Sequence, residues 1–229
     1  MNHTETRLAV LDRLYQLHRE LTRTMDHCCQ RECNVCCTCN VTLTTLEGEY
    51  LLRSLEKVGS TGPQASPWVT SPDSRYRPRL TINALAACCA RGEEPPHEEN
   101  DPQWGTCLLL AEGLCTIYAA RPFVCRAMLS RVPCHQTGTA EIEPLAMTIN
   151  HLLAQYIEHI DAYGYTGNLV DIMHWLQIPN NRTVYTLGRR TAVPAEGLLA
   201  NQPATVLMIP PEHRRQVEPI LNRIHHLRV

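Results

Sequence analysis

Two tight runs of cysteine carry the most specific chemistry in this chain. The first is Cys28-Cys29-x3-Cys33-x2-Cys36-Cys37-x-Cys39, and the second is Cys107-x7-Cys115-x9-Cys125-x8-Cys134. Thiolates are the preferred ligands of zinc, of other soft or borderline metals and of iron–sulfur clusters. A Cys-x2-Cys turn such as Cys33/Cys36 sets two sulfurs on one side of the backbone, and a distant pair completes a tetrahedron or a cluster. The expected metal ligands are Cys29, Cys33, Cys36, Cys37, Cys107, Cys115, Cys125 and Cys134. These eight suffice for two four-thiolate sites, or for one cluster plus a mononuclear ion, and they exceed what one site needs. Cys28 and Cys29 compete for one role, and the spacing to Cys33 favours Cys29. Cys88 and Cys89 lie among alanines and, with Cys39, read as small packing residues.

Other side chains near the blocks are candidates for supporting roles. Arg121 and Arg126 flank Cys125. Their guanidinium groups can offset the negative charge of a thiolate-bound cluster, or they can be helix-end surface residues. His27 and His135 each adjoin a block cysteine and can substitute for sulfur, although loop histidines of this kind usually face solvent. No Ser-His-Asp pattern, phosphate loop or dinucleotide fingerprint is present. Schiff-base chemistry would have to use Lys57, the single lysine, which sits in an ordinary helical stretch.

The elements that must position these residues follow from periodicity. Residues 5–26 place Leu8, Leu11, Leu14, Tyr15, Leu17 and Leu21 on one helical face and feed straight into Cys28. Residues 27–41 read as tight turns. Thr44 or Thr45, with Glu47 or Glu49, starts a helix over about 45–58. A Pro- and Ser-rich loop over 59–79 precedes a short helix at 80–91. Glu112-Gly113 reads as a turn, and Pro122 suits the first turn of a helix carrying Cys125. Residues 141–163 give the cleanest amphipathic helix, with His151, Gln155 and Glu158 on what reads as its solvated face. A shorter helix follows at 168–177, an irregular segment at 179–203 and a last helix at 211–227. The expected fold is mostly α with long irregular loops. Residues 1–137 form an N-terminal helix and a metal-organised, cysteine-rich domain, and residues 138–229 a C-terminal helical region packed on it.

Composition narrows the setting. A chain of 229 residues with 44% hydrophobic residues can bury a core without disulfide staples. A net charge of −2 gives no case for nucleic acid or an anionic membrane as partner. No apolar run approaches the ~20 residues of a membrane span, and the N-terminus lacks a signal-peptide core. The expected location is cytoplasmic, where thiols stay reduced and clustered cysteines bind metal or act as redox groups.

The segment Cys115-Thr-Ile-Tyr-x2-Arg121-Pro122-x2-Cys125-Arg126, after Cys29-x3-Cys33-x2-Cys36-Cys37 and Cys107-Leu-Leu-Leu, resembles the YkgJ-type cysteine-cluster family of zinc- or iron-chelating CxxCxxCC domains. The likeness covers roughly residues 28–134. Two departures stand out: the first spacing is three residues where the family has two, and Leu108-Leu109 replaces a Pro-Phe pair. The resemblance implies a bound metal or iron–sulfur cluster and names no reaction. Cys29-x3-Cys33-x2-Cys36 is also the spacing of radical S-adenosylmethionine enzymes, and Gly92-Glu93-Glu94-Pro95 echoes their glycine–glutamate–proline motif. That motif belongs after the first strand of a βα-barrel. Here it follows a helix, and no succession of βα units appears.

The leading expectation is a protein that binds an iron–sulfur cluster, [4Fe–4S] in type, for electron transfer or to assist a partner enzyme. The alternatives are a zinc or mononuclear iron site that only folds the chain, and an enzyme with an open coordination position.

Overall fold

A computed structural model describes residues 3–57, 75–189 and 195–227. The expected loop at 59–79 therefore lies mostly outside the described residues. The fold is mostly α-helical, as the periodicity predicts, with a small antiparallel sheet. Among the described residues, no helix is long and apolar enough to cross a membrane.

Helix α1 (His3–Thr22) buries Leu11, Leu14, Tyr15 and Leu17. It ends four residues before the expected 26, in a turn closed by Met25 N to Thr22 O at 3.1 Å. Strand β1 (Thr42–Thr44) runs directly into α2 (Thr45–Lys57). The junction is a capping box. Thr44 Oγ1 accepts from Glu47 N (3.3 Å), and the Glu47 carboxylate accepts from Thr44 N (2.9 Å). Helix α3 (Ile82–Ala90) is capped by Thr81. Next come a minimal hairpin of β2 (Leu110–Ala111) and β3 (Leu114–Cys115), then two short helices, α4 (Phe123–Ala127) and α5 (Cys134–Thr137).

Helix α6 (Pro144–Ile160) packs Ile149, Leu152, Leu153 and Ile157 against α1. Its opposite face departs from expectation, because Gln155 and Glu158 are buried rather than solvated. Glu158 accepts from Asn83 N (2.8 Å) and Gln202 N (2.7 Å), and Gln155 donates to Asn83 Oδ1 (3.1 Å) and Val206 O (2.7 Å). Helix α3 and the chain at 201–208 cover this face, and the polar side chains satisfy backbone groups that would otherwise be stranded.

Strand β4 (Tyr165–Asn168) leads into α7 (Leu169–Gln177). Helix α8 (Pro179–Thr186) and strand β5 (Leu198–Ala200) occupy part of the segment expected to be irregular. Pro179 holds the first turn of α8, where its missing N–H costs nothing. After a 3₁₀ turn, α9 (Arg214–His225) ends the described chain.

The sheet has the order β1-β4-β5, all antiparallel, with Thr42 opposite Asn168 and Gly167 opposite Leu198. Its strands are three or four residues long, too short for a period-two pattern to show. Helix α7 covers it, approaching α2 so closely that a Cβ on Gly48 would stand 2.7 Å from Leu176 Cδ1.

The buried apolar residues form two clusters. One gathers around α2, α7 and the sheet, and the other around α1, α6 and α9. Residues on both sides of position 137 contribute to each. Between them lies Asp161, fully buried. It accepts from Arg7 (3.2 Å), Tyr185 Oη (2.7 Å), Leu46 N (2.9 Å) and Asn201 Nδ2 (3.1 Å). Burial raises its carboxyl to about 7, against the pull of the Tyr185 hydrogen bond and the Arg7 charge.

Candidate metal centre

The two cysteine blocks meet at two backbone junctions. At the first, residues 37–39 lie antiparallel to 105–107. Cys39 N donates to Gly105 O (2.8 Å), Cys107 N to Cys37 O (3.0 Å), and Thr38 bridges Thr106. The short β2–β3 hairpin then turns Cys115 back toward Cys107. Leu110 pairs with Cys115, and Leu110 N donates to Cys107 O (3.0 Å). The turn holds Glu112 at φ 50° and Gly113 at φ 77°, and only the second is a residue that adopts such a conformation without strain.

Helix α4 carries Cys125 to the same place. Its first N–H, from Phe123, donates to the buried Glu47 carboxylate at 2.7 Å, and Tyr15 Oη donates to the same oxygen at 2.9 Å. Arg126 is buried. Its guanidinium donates to the carbonyls of Arg121 (2.9 Å) and Ala119 (2.7 Å) and lies over the Tyr15 ring at 4.1 Å. Arg126 therefore fastens α4 to the preceding turn. Arg121 stacks on Tyr118 at 3.9 Å, with Arg31 also over that ring at 5.5 Å.

The second junction ties Cys28 and Cys29 to residues 128–130. Cys28 N donates to Ser130 O (2.9 Å), Ser130 N to Cys29 Sγ (3.2 Å), and Cys29 Sγ to Met128 O (3.2 Å). Ser130 is fully buried and its hydroxyl is saturated, donating to Val132 O (2.6 Å) and accepting from Glu141 N (2.9 Å). That rigid loop presents Cys134 at the start of α5.

One cavity of about 520 Å³ spans both junctions. Cys29, Cys33, Cys36, Cys37, Cys107, Cys115, Cys125 and Cys134 all line it, while Cys28, Cys39, Cys88 and Cys89 do not. The Cys28 thiol is instead held on the Ser130 carbonyl (3.2 Å), and Cys88 is buried with its thiol toward Glu93 O (3.4 Å). All twelve cysteines are free thiols. Arg19, Arg23, Arg31, Arg121 and Arg126 also line the cavity, and no described aspartate or glutamate does. None of these five arginines forms an ion pair with a described carboxylate. Sequence reading singled out Arg121 and Arg126 and missed the rest. The available signal was the i, i+4 spacing of Arg19 and Arg23 at the end of α1.

The thiols perturb one another in two sets. Burial pushes Cys125 well up, and the sulfurs of Cys107, Cys36 and Cys115 add to it. A hydrogen bond to Cys37 and then burial raise Cys36, and the same hydrogen bond lowers Cys37, against burial and the sulfurs of Cys107, Cys125 and Cys115. Burial raises Cys29, with Cys28, Cys134 and Cys33 contributing in the same direction. Metal ligation requires thiolates, so a bound cation would supply the charge that this environment withholds from the thiols.

Eight thiols and five arginines line the cavity, and no described carboxylate does. Among the described residues, no three Cys, His, Asp or Glu side chains are drawn close enough to hold one ion as placed. No protein-family model, curated protein or solved structure matches the chain.

His18 also lines the cavity, hydrogen-bonded through Nε2 to Asn150 Oδ1 (3.0 Å), while Asn150 Nδ2 donates to Ala127 O (2.9 Å) at the end of α4. Burial pushes its imidazole down from 6.5 to about 4, opposed by the Asn150 hydrogen bond and reinforced by Arg126 and Arg121. The folded state thus favours neutral His18. Its contribution is complete above pH 6.5 and is lost as pH falls toward 4. The wild type is expected to lose about 3 kcal/mol over that range relative to His18→Gln, read as the difference between their urea-unfolding free energies. Parallel curves would show that His18 does not titrate differently in the fold.

Proposed function

We propose that this protein binds an iron–sulfur cluster, [4Fe–4S] in type, in the cysteine-lined cavity, and uses it for electron transfer or to assist a partner enzyme. One observation carries the reading. The eight cysteines expected as ligands from spacing line a single cavity, and the other four are turned elsewhere. The resemblance of Cys115–Arg126 to the YkgJ-type cluster domains points the same way. Such a cluster, when bound, supplies reversible one-electron transfer. Cys36 or Cys37 with Cys107, Cys115 and Cys125 would hold it. Arg121, at the same end, would offset the negative charge of the thiolates and shift its potential upward.

The rim supports a protein partner. Val35, Leu114 and Met128 are exposed apolar residues from the segments that frame the cavity, and Arg19, Arg23 and Arg31 line the cavity itself. A partner with an acidic face suits this surface.

Protein purified without oxygen is expected to be coloured and to contain iron and acid-labile sulfide in equal amounts. Colourless protein carrying only zinc overturns the cluster reading. Cys88→Ser and Cys89→Ser are expected to leave iron and sulfide at wild-type levels, because neither thiol reaches the cavity. Loss of iron from either variant would show that the ligand set lies elsewhere.

A further inference from the structure

Every fourth residue from 19 to 31 carries a nitrogen donor: Arg19, Arg23, His27 and Arg31. All four line the cavity. Arg19 and Arg23 stand one turn apart at the end of α1, where Arg23 N donates to Arg19 O at 3.1 Å. Arg31 reaches the Tyr118 ring at 5.5 Å, and Arg121 lies over the same ring at 3.9 Å, so two like charges share one ring. Arg19, Arg23 and Arg31 are exposed, which puts them where the cavity meets solvent. Among the described residues, none of these three guanidiniums has a hydrogen-bond or ion-pair partner. The acidic residues nearest in sequence do not supply one. Glu20 pairs with Arg223, and Asp26 and Glu32 do not line the cavity. His27 Nδ1 is buried without a partner, a costly state that an acceptor in the cavity would relieve. A cluster does not account for these charges. Its four thiolates are partly neutralised by its own iron, and Arg121 and Arg126 already flank Cys125.

We propose that Arg19, Arg23, His27 and Arg31 form a binding site for a small oxyanion of two or more charges, a phosphate ester or a polycarboxylate, where the cavity opens. A guanidinium fork donates two parallel hydrogen bonds to either group. Three such forks need an anion of more than one charge for balance. His27, protonated at Nδ1, would add a hydrogen bond from a buried position. A cavity of about 520 Å³ has the size of a small-molecule site. No described carboxylate in its lining competes for the guanidiniums. The site goes beyond the cluster reading and does not depend on it. With both present, the anion would share the cavity with the cluster, and its charge would lower the cluster's potential.

Isothermal titration calorimetry on the oxygen-free, full-length protein tests this, with pyrophosphate and citrate as probes and sodium chloride holding the ionic strength constant. The wild type is expected to bind at least one probe at a single site, with a Kd of about 1 mM or below. Arg23→Gln and Arg31→Gln should each weaken binding by about tenfold or more, through the loss of charge-assisted hydrogen bonds. Both side chains are exposed, so the fold should survive their replacement. Arg13→Gln, at an exposed position of α1 outside the cavity, should bind like the wild type. A preference for pyrophosphate assigns a phosphate ester, and a preference for citrate a polycarboxylate. Iron and sulfide should stay at wild-type levels in Arg23→Gln and Arg31→Gln, and their loss would assign the guanidiniums to the cluster and overturn the inference. Equal weakening in Arg13→Gln also overturns it, as nonspecific charge attraction. Absence of binding to either probe overturns it in favour of an acidic protein surface as the partner of these arginines. Colourless wild type that still binds pyrophosphate or citrate overturns the cluster reading and leaves this inference standing.

Discussion

Cys125→Ser is expected to lose iron, sulfide and visible colour together, and to unfold at a lower denaturant concentration than the wild type. Burial raises the Cys125 thiol, and the sulfurs of Cys107, Cys36 and Cys115 push it in the same direction. A serine hydroxyl is a hard, weakly acidic donor and a poor substitute for thiolate on iron. Ligands from distant segments convert metal-binding free energy into folding free energy, which reaches roughly 10–16 kcal/mol for structural zinc in small domains. Both apolar clusters here are substantial without the metal, so loss of the cluster should loosen residues 27–41 and 104–135 and leave the helical core folded. Far-ultraviolet circular dichroism near wild type, with rapid proteolysis inside those segments, is the expected pattern. A Cys125→Ser protein with its iron intact would remove the second cysteine block from the ligand set.

Glu47→Ala is expected to destabilise the fold by about 3–5 kcal/mol in urea unfolding. Glu47 is 5% exposed and one carboxylate serves four donors: Tyr15 Oη, Phe123 N, Thr44 N and Thr44 Oγ1. Removing it strands the Tyr15 hydroxyl and the Phe123 amide in the interior, at about 1–3 kcal/mol for each stranded group, and undoes the α2 capping box. Because Phe123 opens the helix that carries Cys125, weaker metal retention should accompany the lost stability. Glu47→Gln keeps one carbonyl oxygen for these donors and should lose less on both counts. Equal effects of Ala and Gln would show that charge, rather than hydrogen-bonding capacity, is what the site requires.

The parts of the fold that could be read in advance were local. The stripe Leu8, Leu11, Leu14, Leu17 forms α1, Thr44 and Glu47 make the anticipated cap, and the turn at Glu112-Gly113 closes the hairpin. What escaped depends on distant partners. The sheet joins strands too short to show a pattern, and α8 carries little apolar periodicity. Gln155 and Glu158 look like a solvated face until Asn83 and the 201–208 chain are seen covering them.

The site divides along the same line. The sequence by itself determined the chemistry: how many sulfurs there are, their Cys-x2-Cys and longer spacings, and the helices that flank them. Those properties are local, governed by side-chain type and by which residues share a helical face. Only the tertiary structure decided which sulfurs share a cavity, that five arginines and no described carboxylate line it, and that His27 is left with a buried, unpartnered nitrogen. Those outcomes depend on contacts such as Cys29 with Met128, 99 residues apart. They are set by the burial of Glu47, Arg126 and Ser130 between helices, where each polar group must find its partner or cost stability, and spacing along the chain does not encode that pairing.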